Sequence, residues 1–147
     1  MSVERFKPLA TGNLLVMRNG KLLLQQRKNK PIYDGYWATI GGHVEEGELP
    51  LSCTLREAFE ELGIEASPAS ARFMGVLYAI IPGATYAHIF FVIDNYTGPV
   101  VNKEPEKCAG FEWFDLDALP EKLFPGTLPV IEMLKSGEHY REYVMYS

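Results

Sequence analysis

Apolar positions along this chain follow two periods, and the switches between them mark out the elements. Leu9–Arg18 (LATGNLLVMR) and Lys21–Arg27 (KLLLQQR) are strand-like runs on either side of Asn19–Gly20, a dipeptide suited to a two-residue hairpin. Leu22, Leu23 and Leu24 are consecutive, so the second strand is expected to be covered on both faces. Lys28–Tyr36 reads as a loop punctuated by Pro31 and Asp34–Gly35, and Trp37–Val44 as one short strand entering a glycine turn. Leu49–Leu62 carries the helical period. Phe73–Ile81 and Tyr86–Ile93 predict a strand pair around Pro82–Gly83. In the second of these, Tyr86, His88, Phe90 and Val92 alternate with Ala87, Ile89, Phe91 and Ile93; both faces are apolar, as in a central strand. Asn95–Ala109 is a polar, proline-bearing excursion. Gly110–Asp115 is a strand, Asp117–Leu119 one helical turn stopped by Pro120, and Pro129–Lys135 opens a second helix ending near Gly137. The class is α/β: two helices packed on a mixed or mostly antiparallel sheet.

The Leu49–Leu62 helix has two unlike faces. At roughly 100° per residue, Glu60 and Glu61 fall about 60° and 40° to either side of Glu57. Leu51, Leu55, Ala58, Phe59 and Leu62 cluster opposite, as the expected buried stripe. Gly63 stands where a left-handed cap residue ends a helix, and Arg56 can pair with Glu60 one turn on. Three carboxylates on one patch repel one another, which raises their pKa values unless a cation joins them. They also lie at the unfavourable end of the helix dipole. Oxygen ligands alone suit Mg²⁺ or Mn²⁺ rather than zinc. A solvated acidic helix face would account for the same three residues, so the flanking positions must decide.

Bulk properties narrow the field. The chain has 147 residues, 47% apolar and 22% charged, which fits one soluble domain over residues 1–147. A net charge of −5 provides no attraction for a nucleic acid polymer, although a bridging cation would still admit small anions. No apolar run is long enough to span a membrane, and the MSVERFKPLATG start lacks the apolar stretch of a signal peptide. Cys53 and Cys108 are expected as reduced thiols in a cytoplasmic protein.

The flanking positions do decide. Gly42-x5-Glu48-x7-Arg56-Glu57-Ala58-x-Glu60-Glu61-x-Gly63-Ile64 resembles the signature of the Nudix hydrolases at every charged and glycine position. Ile40 replaces the usual proline before the paired glycines Gly41–Gly42, and Ala58 is small where the family has a larger aliphatic residue; neither removes a ligand. The later stretch EPEKCAGFEWFDLDALP (Glu104–Pro120) is similar to the MutT-like branch, which acts on nucleoside and pterin triphosphates.

The resemblance implies an α/β/α sandwich, a mixed sheet with flanking helices. It implies hydrolysis of a nucleoside triphosphate to monophosphate and pyrophosphate, with ADP-ribose or dinucleotide cleavage, or a silent nucleotide sensor, as alternatives. It implies Glu57, Glu60, Glu61 and the Gly41 carbonyl as Mg²⁺ or Mn²⁺ ligands, and Glu57 as a candidate general base. A late-loop acid can share either role, with Glu106 as first choice and Glu104 as second. Arg56 would orient the carboxylates, Glu48 tie the loop to the helix, and Glu45 stand behind the ligands. Gly42 would admit substrate backbone-close, and Thr39 line a nucleoside pocket. Tyr36, Trp37, Tyr78, Phe90 and Phe124 are either ring-stacking or core residues. His43, His88 and His139 lack zinc spacing and receive no role. Tyr140, Tyr143 and Tyr146 cover either the core or a homodimer contact.

Overall fold

A computed structural model describes residues 3–146; residues 1, 2 and 147 of the expected domain lie outside the described residues. The first two strands, β1 (Leu9–Arg18) and β2 (Lys21–Arg27), turn through Asn19 and Gly20, both at positive φ, as the hairpin signal predicts. β3 (Trp37–Ala38) and β4 (Ile40–His43) follow. The single strand expected over Trp37–Val44 is therefore two. β3 pairs with β2 and β4 with β1, and the chain changes partner at Thr39.

Helix α1 (Pro50–Leu62) starts with proline in its first turn, where a missing N–H costs nothing. It ends at Gly63, whose N–H bonds the Phe59 carbonyl. β5 (Ala71–Ile81) and β6 (Ala84–Ile93) form the expected antiparallel pair, β7 (Cys108–Asp115) joins β2, and α2 (Thr127–Ser136) packs on β5. Leu116–Ala118 forms a turn in place of the expected helical turn over Asp117–Leu119; the Asp115 side chain bonds the Asp117 N–H. A final strand, β8 (Tyr140–Val144), was not expected; it runs parallel to β5 at the sheet edge.

The sheet runs β3-β2-β1-β6-β5-β8, with β4 beside β1 and β7 beside β2. β6 is central, parallel to β1 on one side and antiparallel to β5 on the other, as its two apolar faces imply. Two cores lie on opposite faces. Leu14, Val16, Leu23 and Ile40 meet Ala58 and Leu62 of α1. Leu15, Leu22, Leu24, Leu77 and Phe90 meet Val130, Ile131 and Met133 of α2. The run Leu22–Leu24 feeds both cores, which explains why it does not alternate with polar residues. This is an α/β/α sandwich.

β1 creates the site. It pairs with β2 only at Met17 and Arg18, and then with β4 from Thr11 to Leu14. The two strand systems diverge in between, and a cavity of about 310 Å³ opens there on the α2 face.

Candidate active site

The buried stripe of α1 is rotated from the leucine-rich one predicted. Cys53, Thr54, Ala58 and Leu62 are buried, while Phe59 is 45% exposed with the Lys103 ammonium 4.4 Å above its ring. The rotation carries the acids inward. Glu57 keeps only 13% of its side chain exposed, against 52% for Glu60. The patch expected on an open face is thus graded from buried to exposed.

Arg56 is the hub. Its Nε donates to Glu48 at 2.8 Å and its Nη2 to the other Glu48 oxygen at 3.0 Å, a two-pronged pairing. Nη1 donates to Glu57 at 3.0 Å and Glu60 at 3.1 Å, and Nη2 also reaches the His43 carbonyl. Glu45 lies 3.6 Å away, exposed, and its N–H donates to Glu48. Glu48 thus joins the glycine loop to the helix through one guanidinium. Arg56, before all else, holds the Glu48 carboxyl down to about 2, and Glu48 in turn raises the Arg56 pKa.

Gly42 explains the placement of Glu57. A Cβ on Gly42 would collide with the Glu57 carboxylate, so only glycine lets that side chain lie flat on β4. Gly41 is equally tight against the Asn13 side chain.

Glu61 is the least satisfied group. Its Oε2 is buried without a hydrogen-bond partner among the described residues. Burial first, then Glu57 and Glu104, push its carboxyl up to about 8. Glu57 is also raised, again by burial first, with Arg56 opposing. Repulsion between the carboxylates, the cause expected from sequence, comes second to desolvation. Among the described residues no three His, Cys, Asp or Glu side chains converge as a ready-made cation cage, since Arg56 draws Glu57 and Glu60 to itself. The donor set nevertheless fits a hard divalent cation: all oxygens, and one sealed from water with nothing to bond.

A family model described as the NUDIX domain matches residues 7–134. The chain belongs to the Nudix family. This Nudix chain is similar to the MutT NUDIX hydrolase of Burkholderia pseudomallei, at TM-score 0.80 and 28% identity over 88% of this chain and 99% of that one. It is 27% identical to the NAD-capped RNA hydrolase NudC of Stutzerimonas stutzeri over 80% of this chain and 41% of that protein. It is 43% identical to the CTP pyrophosphohydrolase of Escherichia coli over 36% of this chain and 39% of that protein. The chain spans about two fifths of the length of the NudC relative it matches over most of its own length.

The late loop of this Nudix chain brings one of its two candidate acids toward α1. The Val101 and Lys103 N–H groups bond the Leu62 and Glu61 carbonyls, docking the loop on the end of α1. Glu104 lies near enough to raise both Glu57 and Glu61 and also pairs with the Lys107 ammonium at 3.1 Å, while Glu106 is exposed. The Asn102 side chain holds the Glu104 N–H and the Cys108 carbonyl, which keeps the loop in that register.

Thr39 lines the cavity, its carbonyl taking a hydrogen bond from Gln25. Phe90, Phe124 and Tyr143 line it too, whereas Trp37 packs in the core against Phe114 and Tyr36 against Tyr33. Gly41, Gly42 and His43 form the rim nearest the acids. Thr11, Asn13 and His88 line the same cavity and were missed. The signal was present: each is a polar residue on a strand face that alternation marks as buried.

Proposed function

We propose that this chain hydrolyses a nucleoside triphosphate to monophosphate and pyrophosphate, with Glu57, Glu60, Glu61 and the Gly41 carbonyl holding Mg²⁺ or Mn²⁺. The observation that carries this reading is the partnerless, buried Glu61 Oε2 on α1, beside Glu57 and Glu104, with the Glu57 carboxylate lying against Gly42 of β4, a strand whose residues rim the cavity. When bound, the cation supplies charge neutralisation of the phosphate chain and a lowered pKa for the attacking water. The chain's own residues do the rest. Gly41 and Gly42 let phosphate oxygens approach backbone. Arg56 is a positioning residue that fixes Glu57 and Glu60 through charge-assisted hydrogen bonds. Glu57, with its raised pKa, is the proton acceptor at Oε1 or Oε2, and Glu104 takes the late-loop role first assigned to Glu106. Thr39 and the aromatic wall around Phe124 hold the nucleoside.

A second reading has its own support. Relatives that align over most of this chain are named for NAD-capped RNA, so a dinucleotide diphosphate is the alternative substrate. The acidic net charge favours the small molecule over a polymer in either case. Buried, unpaired Cys53 and Cys108 support a cytoplasmic setting, and no helix among the described residues is long and apolar enough to cross a membrane. Residues 1–147 are taken as one catalytic unit.

The test is incubation with Mg²⁺ and a panel of triphosphates, ADP-ribose and NAD, with product identification. Pyrophosphate from a triphosphate is expected, and Glu57→Gln lowers turnover by several orders of magnitude with an unchanged circular dichroism spectrum. Cleavage of NAD alone selects the second reading. Near-normal kcat in the variant removes Glu57 from the centre, and binding without product makes the chain a sensor.

A further inference from the structure

The cavity on the α2 face contains a one-way chain of hydrogen bonds that the hydrolytic chemistry leaves unused. Its members are Asn13 and Thr11 on β1 and His88 on β6, with Thr11 and His88 directly opposite in the parallel register. A carbonyl only accepts, so the Asn13 atom 3.1 Å from the Ile89 oxygen is the amide nitrogen. That nitrogen's other hydrogen goes to Thr11 Oγ1 at 2.8 Å. The remaining contact of Oγ1 is His88 Nδ1, at 2.6 Å. Were Nδ1 protonated, the buried threonine would accept twice and its own hydrogen would point at nothing, a state that buried hydroxyls avoid. Thr11 therefore donates, Nδ1 accepts, and the ring hydrogen sits on Nε2.

Three further facts turn this tautomer into a recognition element. Burial, then the nearby His43, lower the His88 pKa to about 4, so the ring is neutral at physiological pH. Tyr86 stacks on the ring, 4.9 Å between centroids and 11° between planes, and fixes its plane. Nε2 has no partner among the described residues and is not sealed from solvent, so it opens into the cavity. The surrounding wall of Leu77, Phe90 and Phe124 suits a flat ring.

We propose that His88 is a specificity-determining residue: its fixed Nε2–H selects a heterocycle that presents an oxo oxygen at that point over one that presents an amino group. An amino group there would face the histidine donor with another donor, and both would lose their water without gaining a bond. This rests on the reading of the cavity as the nucleoside pocket of a hydrolase.

Two measurements separate the failures. In ¹⁵N-histidine-labelled protein at pH 7, with the resonance assigned through His88→Asn, Nε2 is expected protonated and Nδ1 bare; an imidazolium or an Nδ1–H ring overturns the proposal whatever the enzyme does. In kinetics, guanosine, inosine and uridine triphosphates are expected to exceed adenosine and cytidine triphosphates by about tenfold or more in kcat/KM, mostly through KM. His88→Phe should erase that preference. Equal or reversed preference in the native enzyme overturns the proposal. If no triphosphate is hydrolysed, the hydrolase reading fails alone. Binding of inosine against adenosine, followed at the same Nε2 resonance, then decides: no preference for inosine overturns the donor role.

Discussion

Glu61 shows most plainly how a single residue divides stability from activity. Its carboxyl is raised from 4.5 to about 8, so the native state holds a proton that the unfolded chain has released between those values. More protons on the native side means that stability falls as pH rises through this window, with no penalty below 4.5. Glu48 works in a different window. Lowered to about 2, it contributes stability above 4.5 that is lost as pH falls toward 2. In EDTA the melting temperature should therefore drop from pH 5 to pH 8. Glu61→Gln should flatten that slope and stabilise the protein at pH 8 by about 1–3 kcal/mol while abolishing hydrolysis. A slope unchanged in the variant would place the titration elsewhere. Gly42→Ala is the matching steric test. The new methyl meets the Glu57 carboxylate, so hydrolysis should fall by about a hundredfold or more with the melting temperature nearly kept.

Among the elements, α1 carries opposite duties on adjacent faces. Leu62 is fully buried in the core shared with β1 and β4, and Leu62→Ala should cost about 2–5 kcal/mol in urea denaturation. Phe59 faces outward under Lys103, and Phe59→Ala should cost less than about 1 kcal/mol. Equal costs would mean that the helix is turned the other way. The rotation matters to function because it moves Glu57 and Glu61 from open water to the edge of the core, where their pKa values rise. Helical periodicity identified the element and its bounds to within a residue. It placed Ala58 and Leu62 in the buried stripe but not Cys53 and Thr54, because small residues bury by close approach rather than by hydrophobicity.

At the scale of the whole molecule, the acids and the cavity belong to different faces of the sheet and meet over β4. The C-terminal strand serves the cavity side. Tyr143 and Met145 line it, and β8 covers the edge of β5. Truncation after Gly137 should lower the melting temperature and raise KM by about tenfold or more, while calorimetric uptake of Mg²⁺ at the α1 acids persists. Loss of both together would show that the two faces are one cooperative unit. The splay of β1 between β2 and β4 is what opens the cavity, and it follows from pairings that are distant along the chain.

Local pattern alone determined β1, β2, β5, β6 and β7, both helices, the hairpin at Asn19–Gly20 and the acidic motif, because each depends on residues within a few turns of one another. Only the folded chain decided that Trp37–Val44 breaks into two strands, that Tyr140–Val144 joins the sheet, and that the docked late loop brings the charge of Glu104 to bear on Glu57 and Glu61. It also turned a histidine with no metal spacing into an oriented donor. These outcomes hang on long-range partners: a loop docked on helix carbonyls, a strand edge left open, a threonine opposite a histidine across two strands. Desolvation and hydrogen-bond direction belong to such assemblies, and a linear string of residues does not contain them.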